Sequence, residues 1–351
     1  MTLAVTAADV DAVMNGKAQP AGALGHLQAI AVQLCVLRQT LTPVVDAPVC
    51  LVFCGDHGVT KRADGPSAYP RSVTEFMYST VVAGRAAVSV LCSALHVACV
   101  CVDVGIDSDR VSTTRLARGT ADLTQGPAMS VDTCNHAIAL GRATAARWIS
   151  EHGKNVVCVG ELGIGNTTAA SALVAAFTGA PAADVCGRGT GLDDAGILRK
   201  VAIVEEALAV NAAAIRAAPL DTLAAVGGLE IAAMTGAMLE AAARRVPVIV
   251  DGFISGAAAL CAQRLEPATM AHALFLSHQS QEKGARVLLD ALQLTQSAPL
   301  QMQMRLGEGT GAVLCVPLLQ SAAAVVRDMA SLQSVLEGSV QPNPLIQVSS
   351  E

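Results

Sequence analysis

The first feature that could do chemistry is a carboxylate in a glycine-lined segment, LGEGTGA at 306–312. Glu308 stands between Gly307 and Gly309, so its side chain can face a ligand without bulky neighbours in the way. A carboxylate that is buried in such a place has a raised pKa and can act as a general base. The alternative interpretation is a glutamate in a solvated turn, and the motif alone leaves both open.

Two further glycine-rich segments carry groups suited to binding phosphate. GELGIGNTTAAS (160–171) predicts a turn from a strand into a helix, whose first backbone N–H groups can bind an anion. CGRGTGLDD (186–194) is a second such segment, to which Arg188 or Lys200 could add positive charge. Neither segment is a P-loop or a dinucleotide-binding fingerprint. An ordinary capped turn and a flexible surface loop are the alternatives that these residues leave open.

Other polar residues follow predicted strands without forming a metal or nucleophile motif. Asp56 and His57 in GDHGV are either a ligand and a base or part of a hydrogen-bonded turn. Asp251 in VIVDGFISG stands alone, whereas loops that hold magnesium-diphosphoribose substrates carry adjacent acids. The sequence has no HExxH or GxSxG motif and no zinc-ligand spacing. We therefore predict no metal site.

The elements that must position these residues alternate along the chain. Continuous apolar runs, typical of strands covered on both faces, lie between Ala-rich stretches typical of helices. The predicted strands are 49–54, 97–103, 155–160, 223–228, 246–251 and 272–277, and the predicted helices are 74–95, 133–151, 166–178, 194–217, 229–244 and 254–263. This alternation predicts an α/β fold with a mainly parallel, doubly wound sheet. Ligands of such sheets bind at the carboxyl ends of the strands, where the polar segments lie.

The two ends of the chain differ from its middle. Residues 1–45 and 317–351 have helix-like stretches and no convincing strand, and we expect them to form one small helical domain. Residues 46–316 are then the large α/β catalytic domain. A chain of 351 residues is long enough for this arrangement.

The composition argues against several classes of protein. Hydrophobic residues make up 52% and charged residues 15%, which is not the composition of a disordered chain. The net charge is −6 and no Lys/Arg-rich block is present, so nucleic acid is not an expected partner. The uncharged stretch 86–102 is short for a membrane-spanning helix, and we interpret 97–102 as a buried strand instead.

Cysteine usage and the first residues bear on the cellular compartment. Eleven cysteines are scattered through apolar contexts without a disulfide framework, which is typical of reduced thiols. The CxC pair Cys99 and Cys101 is expected to pack on one face of a strand. The start MTLAVTAADVDAV does not have the pattern of a secretory signal. We therefore expect a cytoplasmic protein that does not associate with membranes.

Taken in order, these segments resemble the nicotinate-nucleotide–dimethylbenzimidazole phosphoribosyltransferase family, which acts in the lower-ligand branch of cobalamin biosynthesis. The matching stretches are DHGV (56–59), AYPRSVT (68–74), DVGID (103–107), GTADLTQGPAMS (119–130), GELGIGNTTAAS (160–171), GRGTGLDD (187–194), GGLEIAAMTGAMLEAA (227–242), PVIVDGFISGAAAL (247–260), LSHQSQEKGA (276–285) and LGEGTGA (306–312). Each stretch is modest alone, whereas the ordered set is highly specific.

The resemblance implies a reaction and an architecture. The protein would transfer 5-phosphoribose from nicotinate mononucleotide to a benzimidazole-type base such as 5,6-dimethylbenzimidazole, giving α-ribazole 5′-phosphate and nicotinate. It would need no metal and no other cofactor, and it would be a homodimer with a Rossmann-like large domain. By motif, the expected catalytic residues are Glu308, as general base, and Glu161, as a second carboxylate near the ribose that could bond its hydroxyls or assist as a base.

The remaining site residues follow from the same resemblance. The expected ligands of the donor phosphate are Gly163, Gly189, Thr190, Gly191, Lys200 and Ser280. Phe253 is expected to stack on the nicotinate ring. The residues expected around the acceptor ring are Leu162, Leu306, Tyr69 and Met77. The family often has a Gln where this chain has Glu75, Phe76 and Met77, and Arg85 replaces a common glycine. Another benzimidazole, adenine or a phenol therefore stays open as the acceptor. A catalytically silent nucleotide-binding homologue and, more remotely, a nicotinamide-dependent oxidoreductase are the alternatives of a different class.

Overall fold

A five-stranded parallel sheet forms the centre of the molecule. The computed structural model describes residues 4–111, 115–294, 298–343 and 345–346. The strands of the described residues are β1 (Pro48–Gly55), β2 (Ala98–Gly105), β3 (Val156–Leu162), β4 (Val248–Val250) and β5 (Leu274–Leu276). They pair in the order β2-β1-β3-β4-β5, and every pair is parallel. This is a doubly wound order that reverses between β1 and β3. The predicted α/β fold with a mainly parallel sheet is confirmed.

Helices connect and cover these strands. Over the described ranges they are α1 (Ala7–Asn15), α2 (His26–Arg38), α3 (Ser72–Val82), α4 (Ala87–Ala94), α5 (Val131–Ser150), α6 (Asn166–Thr178), α7 (Ala182–Val185), α8 (Asp194–Val210), α9 (Ala212–Ala217), α10 (Pro219–Val226), α11 (Leu229–Ala243), α12 (Phe253–Leu265), α13 (Pro267–Met270), α14 (Ala285–Leu292), α15 (Thr310–Asp328) and α16 (Leu332–Leu336), with a 3₁₀ turn at Gly58–Lys61. The predicted helix 74–95 is divided into α3 and α4. Gly84 has a left-handed φ of 73° between them.

Small residues allow the helices to pack closely under the sheet. All residues of β1 are buried, which requires cover on both faces. Helix α11 packs against α5 and against the first three strands. A Cβ on Gly141 would lie 1.8 Å from the Ala233 carbonyl oxygen, and one on Gly236 would lie 2.0 Å from the Ile138 carbonyl oxygen. Glycine at both positions therefore permits backbone contact between α5 and α11.

Two predictions about strands are wrong. The predicted strand 223–228 lies in helix α10 and the turn after it, where Pro219 occupies the first helical turn. A short apolar run does not distinguish a strand from a buried helix, and the alanines at 224 and 225 favour the helix. The predicted buried strand 97–102 is a strand, but β2 lies at the edge of the sheet and its first five residues are partly or fully exposed.

The chain divides into two compact units, Met1–Val44 with Pro317–Glu351 and Val45–Val316. In the first unit, Lys17 Nζ donates to the Met329 carbonyl oxygen at 2.6 Å, and Lys17 forms an antiparallel bridge with Ser331. These bonds hold the two chain ends together. The second unit contains the sheet. Residues 1–3, 344 and 347–351 of the predicted small domain lie outside the described residues.

Two stretches are long and apolar enough to cross a membrane by length and composition alone, Ser72–Ala94 and Thr310–Asp328. Core helices pass the same test. The first stretch is interrupted between α3 and α4, and 56% of the second stretch is buried.

Candidate active site

A cavity of about 450 Å³ lies at the carboxyl ends of the strands in the unit Val45–Val316. The segments after β1, β3, β4 and β5 and the segment before α15 supply its walls. The predicted site residues that line it are Glu308, Glu161, Gly163, Gly189, Thr190, Phe253, Ser280, Leu162, Leu306, Tyr69 and Met77. Lys200 and Gly191 are not among the lining residues. The tertiary structure thus brings together most residues that the sequence predicted for one site.

Glu308 is held in an unusual backbone conformation just before α15. Its φ is 63°, in the left-handed region that non-glycine residues rarely occupy. Its carbonyl oxygen would lie 2.1 Å from a Cβ on Gly160, so the segment can approach β3 only because that residue is glycine. The Val88 N–H donates to Glu308 Oε2 at 3.3 Å. Burial raises the pKa of Glu308, and the bond from Val88 opposes the rise.

Glu161 is a second buried carboxylate, near the end of β3. Asn166 Nδ2 donates to its Oε2, and the Glu308 N–H donates to its Oε1 at 3.4 Å. Burial, followed by the negative charge of Asp251, raises the pKa of Glu161 to about 8. The raised pKa favours the protonated form of Glu161, whose carboxyl group can donate as well as accept a hydrogen bond.

Asp251 is a cavity-lining residue that the sequence did not assign to the site. It follows β4, is 4% exposed, and accepts N–H bonds from Gly309, Gly311 and Ala312. Burial raises its pKa to about 7, against the effect of these three bonds. The available signal in the sequence was its place directly after a strand. That signal is weak because no second acid stands beside it.

Backbone groups form the opposite side of the cavity, and a buried lysine lies behind them. Helix α6 begins at Asn166, after the left-handed Gly165, and both Asn166 and Thr167 line the cavity at this helix N-terminus. The Asn166 N–H donates to the Gly163 carbonyl oxygen at 3.2 Å. Lys200 is fully buried behind this wall, where Nζ donates to Thr167 Oγ1 at 2.8 Å and to the Gly187 carbonyl oxygen at 3.3 Å. No ion pair of Lys200 is present in the described part of the chain. Burial accordingly lowers the pKa of Lys200.

The segment after α7 approaches this cation closely. A Cβ on Gly189 would lie 3.0 Å from Thr167 Oγ1 and 3.5 Å from Lys200 Nζ. The Thr190 hydroxyl accepts a bond from the Ala68 N–H at 3.3 Å. The Gly191 N–H donates within a turn to the Arg188 carbonyl oxygen at 3.0 Å. Gly189 is thus the residue of this segment that both lines the cavity and approaches Lys200.

The predicted acceptor side is apolar and open. Tyr69 and Leu306 are 53% and 57% exposed, and Val73 joins Met77 and Leu162 in the wall. Two of the residues that depart from the family pattern lie elsewhere. Glu75 pairs with Arg110 at 3.7 Å, and Phe76 is exposed. Met77 is therefore the departure that lines the cavity.

Asp56 and His57 form buried hydrogen bonds with other parts of the chain and do not line the cavity. Asp56 Oδ1 accepts from Thr74 Oγ1 at 2.7 Å, and that hydroxyl accepts from the Ile164 N–H at 3.0 Å. His57 Nε2 lies 2.8 Å from Glu230 Oε1, and both side chains are fully buried. These contacts agree with the hydrogen-bonded turn that the sequence left open. Across the described residues, no group of three or more His, Cys, Asp or Glu side chains is arranged to hold a metal ion.

Comparisons with known proteins agree with this geometry. A family model described as phosphoribosyltransferase matches residues 4–335. The nicotinate-nucleotide–dimethylbenzimidazole phosphoribosyltransferase of Ralstonia nicotianae is 45% identical over 335 residues, which are 93% of this chain and 92% of the relative. The enzyme of the same name from Chloroflexus aggregans is 44% identical over 318 residues, which are 89% and 88% of the two chains.

A solved structure supports the same relationship. The crystal structure of CobT from Thermus thermophilus superposes with a TM-score of 0.87 at 36% identity, covering 94% of this chain and 98% of that one. The family resemblance inferred from the ordered motifs is confirmed. With the sheet, the cavity and these relatives together, the chain belongs to the nicotinate-nucleotide–dimethylbenzimidazole phosphoribosyltransferase family.

Proposed function

We propose that this protein transfers 5-phosphoribose from nicotinate mononucleotide to 5,6-dimethylbenzimidazole, giving α-ribazole 5′-phosphate and nicotinate for the assembly of the cobalamin nucleotide loop. One observation carries the proposal. A buried carboxylate, Glu308, faces the same cavity as a helix N-terminus backed by the buried cation of Lys200. The first group suits removal of a proton, and the second suits a phosphate.

The chemistry assigns a role to each side of the cavity. The bond between ribose C1′ and the pyridinium nitrogen of the donor breaks, and its electron pair neutralises the ring as nicotinate leaves. A ring nitrogen of the acceptor forms the new bond to C1′ from the opposite face. The other acceptor nitrogen loses its proton to Glu308, whose raised pKa makes it a stronger base than an exposed glutamate. Holding both rings in line with C1′ supplies much of the remaining acceleration.

Donor binding is proposed for the glycine-rich side. The N–H groups at Gly163 and Gly189 contact the phosphate, and Lys200 supplies positive charge through Thr167, to which its ammonium group donates. Thr190, Gly191 and Ser280 complete this group as predictions from the resemblance. Glu161 lies near the ribose hydroxyls, and Phe253 stacks on the nicotinate ring.

Acceptor binding is proposed for the apolar side. Leu162, Leu306, Tyr69 and Met77 enclose the acceptor ring, and Val73 belongs to the same wall. The methyl groups of dimethylbenzimidazole suit such a surface because their burial is favourable without hydrogen-bonding partners. Another benzimidazole, adenine or a phenol is the alternative acceptor.

We further propose that the unit Val45–Val316 is the catalytic domain and that its doubly wound sheet is Rossmann-like in the broad sense. We also propose that the protein is a cytoplasmic homodimer. It acts on small molecules and binds neither nucleic acid nor a membrane. The homodimer rests on the family resemblance. Light scattering coupled to gel filtration tests it, and a monomeric mass at assay concentration would contradict it.

The reaction is tested by incubating the purified protein with nicotinate mononucleotide and 5,6-dimethylbenzimidazole without added metal. Chromatography and mass spectrometry should detect α-ribazole 5′-phosphate and an equal amount of nicotinate. Product only with another base from a panel would change the acceptor and keep the donor. Binding of the donor without product from any base would favour the catalytically silent homologue.

A further inference from the structure

Asp251 connects the end of a strand to the segment that carries Glu308. Its Oδ1 accepts from the Gly311 N–H at 2.6 Å and from the Ala312 N–H at 3.1 Å, and its Oδ2 accepts from the Gly309 N–H at 3.2 Å. Glu308 is the residue directly before the first of these three amides. A carboxylate from the end of β4 therefore holds the backbone on the carboxyl-terminal side of Glu308.

The start of α15 has no capping side chain of its own. The first amides of a helix have no acceptor inside the helix, and they are normally bonded by the side chain of a capping residue. The residue before α15 is Gly309, which has no side chain. Asp251 supplies the missing acceptor from a distant part of the chain, and a negative charge is favoured at a helix N-terminus.

The approach of Asp251 requires the glycines of the segment. A Cβ on Gly311 would lie 2.1 Å from His278 Nδ1 and 2.8 Å from Asp251 Oδ1. The left-handed conformation of Glu308 persists only where its surroundings fix it. Two neighbours contact the segment directly: Gly160, which the Glu308 carbonyl oxygen approaches, and Asp251, which accepts from the Gly309 N–H.

Building on the function proposed above, we propose that Asp251 is a positioning residue for phosphoribosyl transfer: by holding the amides of Gly309, Gly311 and Ala312, it directs the Glu308 carboxyl group into the cavity. Asp251 has a second effect on the site. The successive N–H groups of Glu308 and Gly309 donate to Glu161 and to Asp251, so the two carboxyl groups lie on the same segment, and the negative charge of Asp251 raises the pKa of Glu161.

Asp251→Asn tests the proposal. The amide side chain still offers an oxygen to Gly311 and Ala312, but its NH₂ group faces the Gly309 N–H, so two donors oppose each other. We expect kcat to fall about 100-fold, because misplacing a reacting group by about 1 Å causes a loss of about that size. KM for nicotinate mononucleotide should change by less than about three-fold. A KM that rises with unchanged kcat would overturn the proposal, as would wild-type kcat.

Asp103→Asn is the matched control. Asp103 also lies near the carboxyl end of a strand, is 3% exposed, and accepts from the Ile106 N–H at 2.8 Å, but it does not line the cavity. We expect its kcat to stay within about three-fold of wild type. An equal loss in both variants would mean that any buried carboxylate is needed for the fold, and it would overturn a specific role for Asp251.

A second readout does not depend on turnover. The infrared carbonyl band of protonated Glu161, identified by its loss in Glu161→Gln, should titrate near pH 8 in the wild type. The midpoint should move to lower pH in Asp251→Asn and stay unchanged in Asp103→Asn. An unmoved midpoint in Asp251→Asn would contradict the proposed effect on Glu161.

Hydrogen exchange in the wild-type protein keeps the proposal testable if Asp251→Asn does not fold. Amides in the first turn of a helix exchange quickly unless a side chain holds them. We expect the amides of Gly311 and Ala312 to be protected, and fast exchange at both would overturn the proposal. A wild-type protein that forms no product would refute the proposed function, whereas protected amides would still support the contact.

Discussion

Replacing Lys200 with methionine should separate the stability of the protein from its affinity for the donor. Lys200 is fully buried and has two neutral hydrogen-bond partners, Thr167 Oγ1 and the Gly187 carbonyl oxygen, but no ion pair among the described residues. Methionine has nearly the same length and removes the charged nitrogen. An unpaired buried ammonium is costly, so we expect the unliganded variant to be no less stable than the wild type.

The effect on donor affinity follows from the charge that is lost. The Thr167 hydroxyl lines the cavity and accepts from Lys200, so its own proton is available to the donor phosphate. A hydrogen bond to a charged group contributes about 1.5–3 kcal/mol, which corresponds to about 10- to 100-fold in affinity. We therefore expect KM for nicotinate mononucleotide to rise by about that factor in Lys200→Met. The acceptor lies on the other side of the cavity, so its KM should change little.

Steady-state kinetics and thermal unfolding check this prediction together. Nicotinate mononucleotide at about 100 times its wild-type Kd should stabilise the wild type by about 2.7 kcal/mol. At the same concentration the variant should retain about 1.4 kcal/mol if its affinity is about 10-fold weaker, and about 0.4 kcal/mol if it is about 100-fold weaker. Lys61→Met is the control, because Lys61 is 52% exposed and pairs with Asp107 at 3.2 Å. A variant with the wild-type donor KM and the full thermal shift would refute a phosphate site in front of Lys200.

Three further changes test the carboxylates and their support. Glu308→Gln should lower kcat by about 100- to 10,000-fold with little change in donor KM. In the wild type, the base must be ionised, so the rate should rise with pH through a midpoint above the ordinary glutamate pKa of 4.5. Glu161→Gln should flatten the pH dependence of thermal stability. The raised pKa of Glu161 stabilises the folded state fully below about pH 4.5, and this contribution is lost as pH rises to about 8. Gly160→Ala should lower stability by about 1–3 kcal/mol and reduce kcat, since the added Cβ would lie 2.1 Å from the Glu308 carbonyl oxygen.

Each of these predictions has a result that contradicts it. Full turnover by Glu308→Gln would remove Glu308 from its role as base. An unchanged slope of melting temperature against pH in Glu161→Gln would mean that Glu161 is ionised in the folded protein at neutral pH. Wild-type kinetics and stability in Gly160→Ala would show that the segment carrying Glu308 can move away from β3 without loss of stability or of kcat.

Several features of the site followed from the sequence because their physical signal is local. Polar and glycine-rich segments directly after apolar runs predicted one edge of a parallel sheet. The thirteen site residues came from the family resemblance, and eleven of them line the cavity found at that edge. Ordered motifs identified the family even though each is short. The strand at 223–228 was wrong because an apolar run of that length has no periodicity that separates a strand from the buried helix α10.

Other features depend on contacts between distant residues. Asp251 is one acid after a strand in the sequence, and only the fold brings it to three amides about sixty residues away. The Val88 N–H reaches Glu308 across 220 residues of chain. Lys200 lies on a helix with ordinary periodicity, and its complete burial next to Thr167 depends on how α6 and α8 pack.

The sequence by itself determined most of the elements and which loops carry chemistry, because hydrophobic patterning and glycine placement act over a few residues. The tertiary structure alone decided the protonation and direction of the carboxylates. Burial and the charge of Asp251 raise the pKa of Glu161, and the approach of Glu308 to Gly160 fixes a left-handed backbone. Both effects arise only when segments that are far apart in the chain pack against each other in the folded protein.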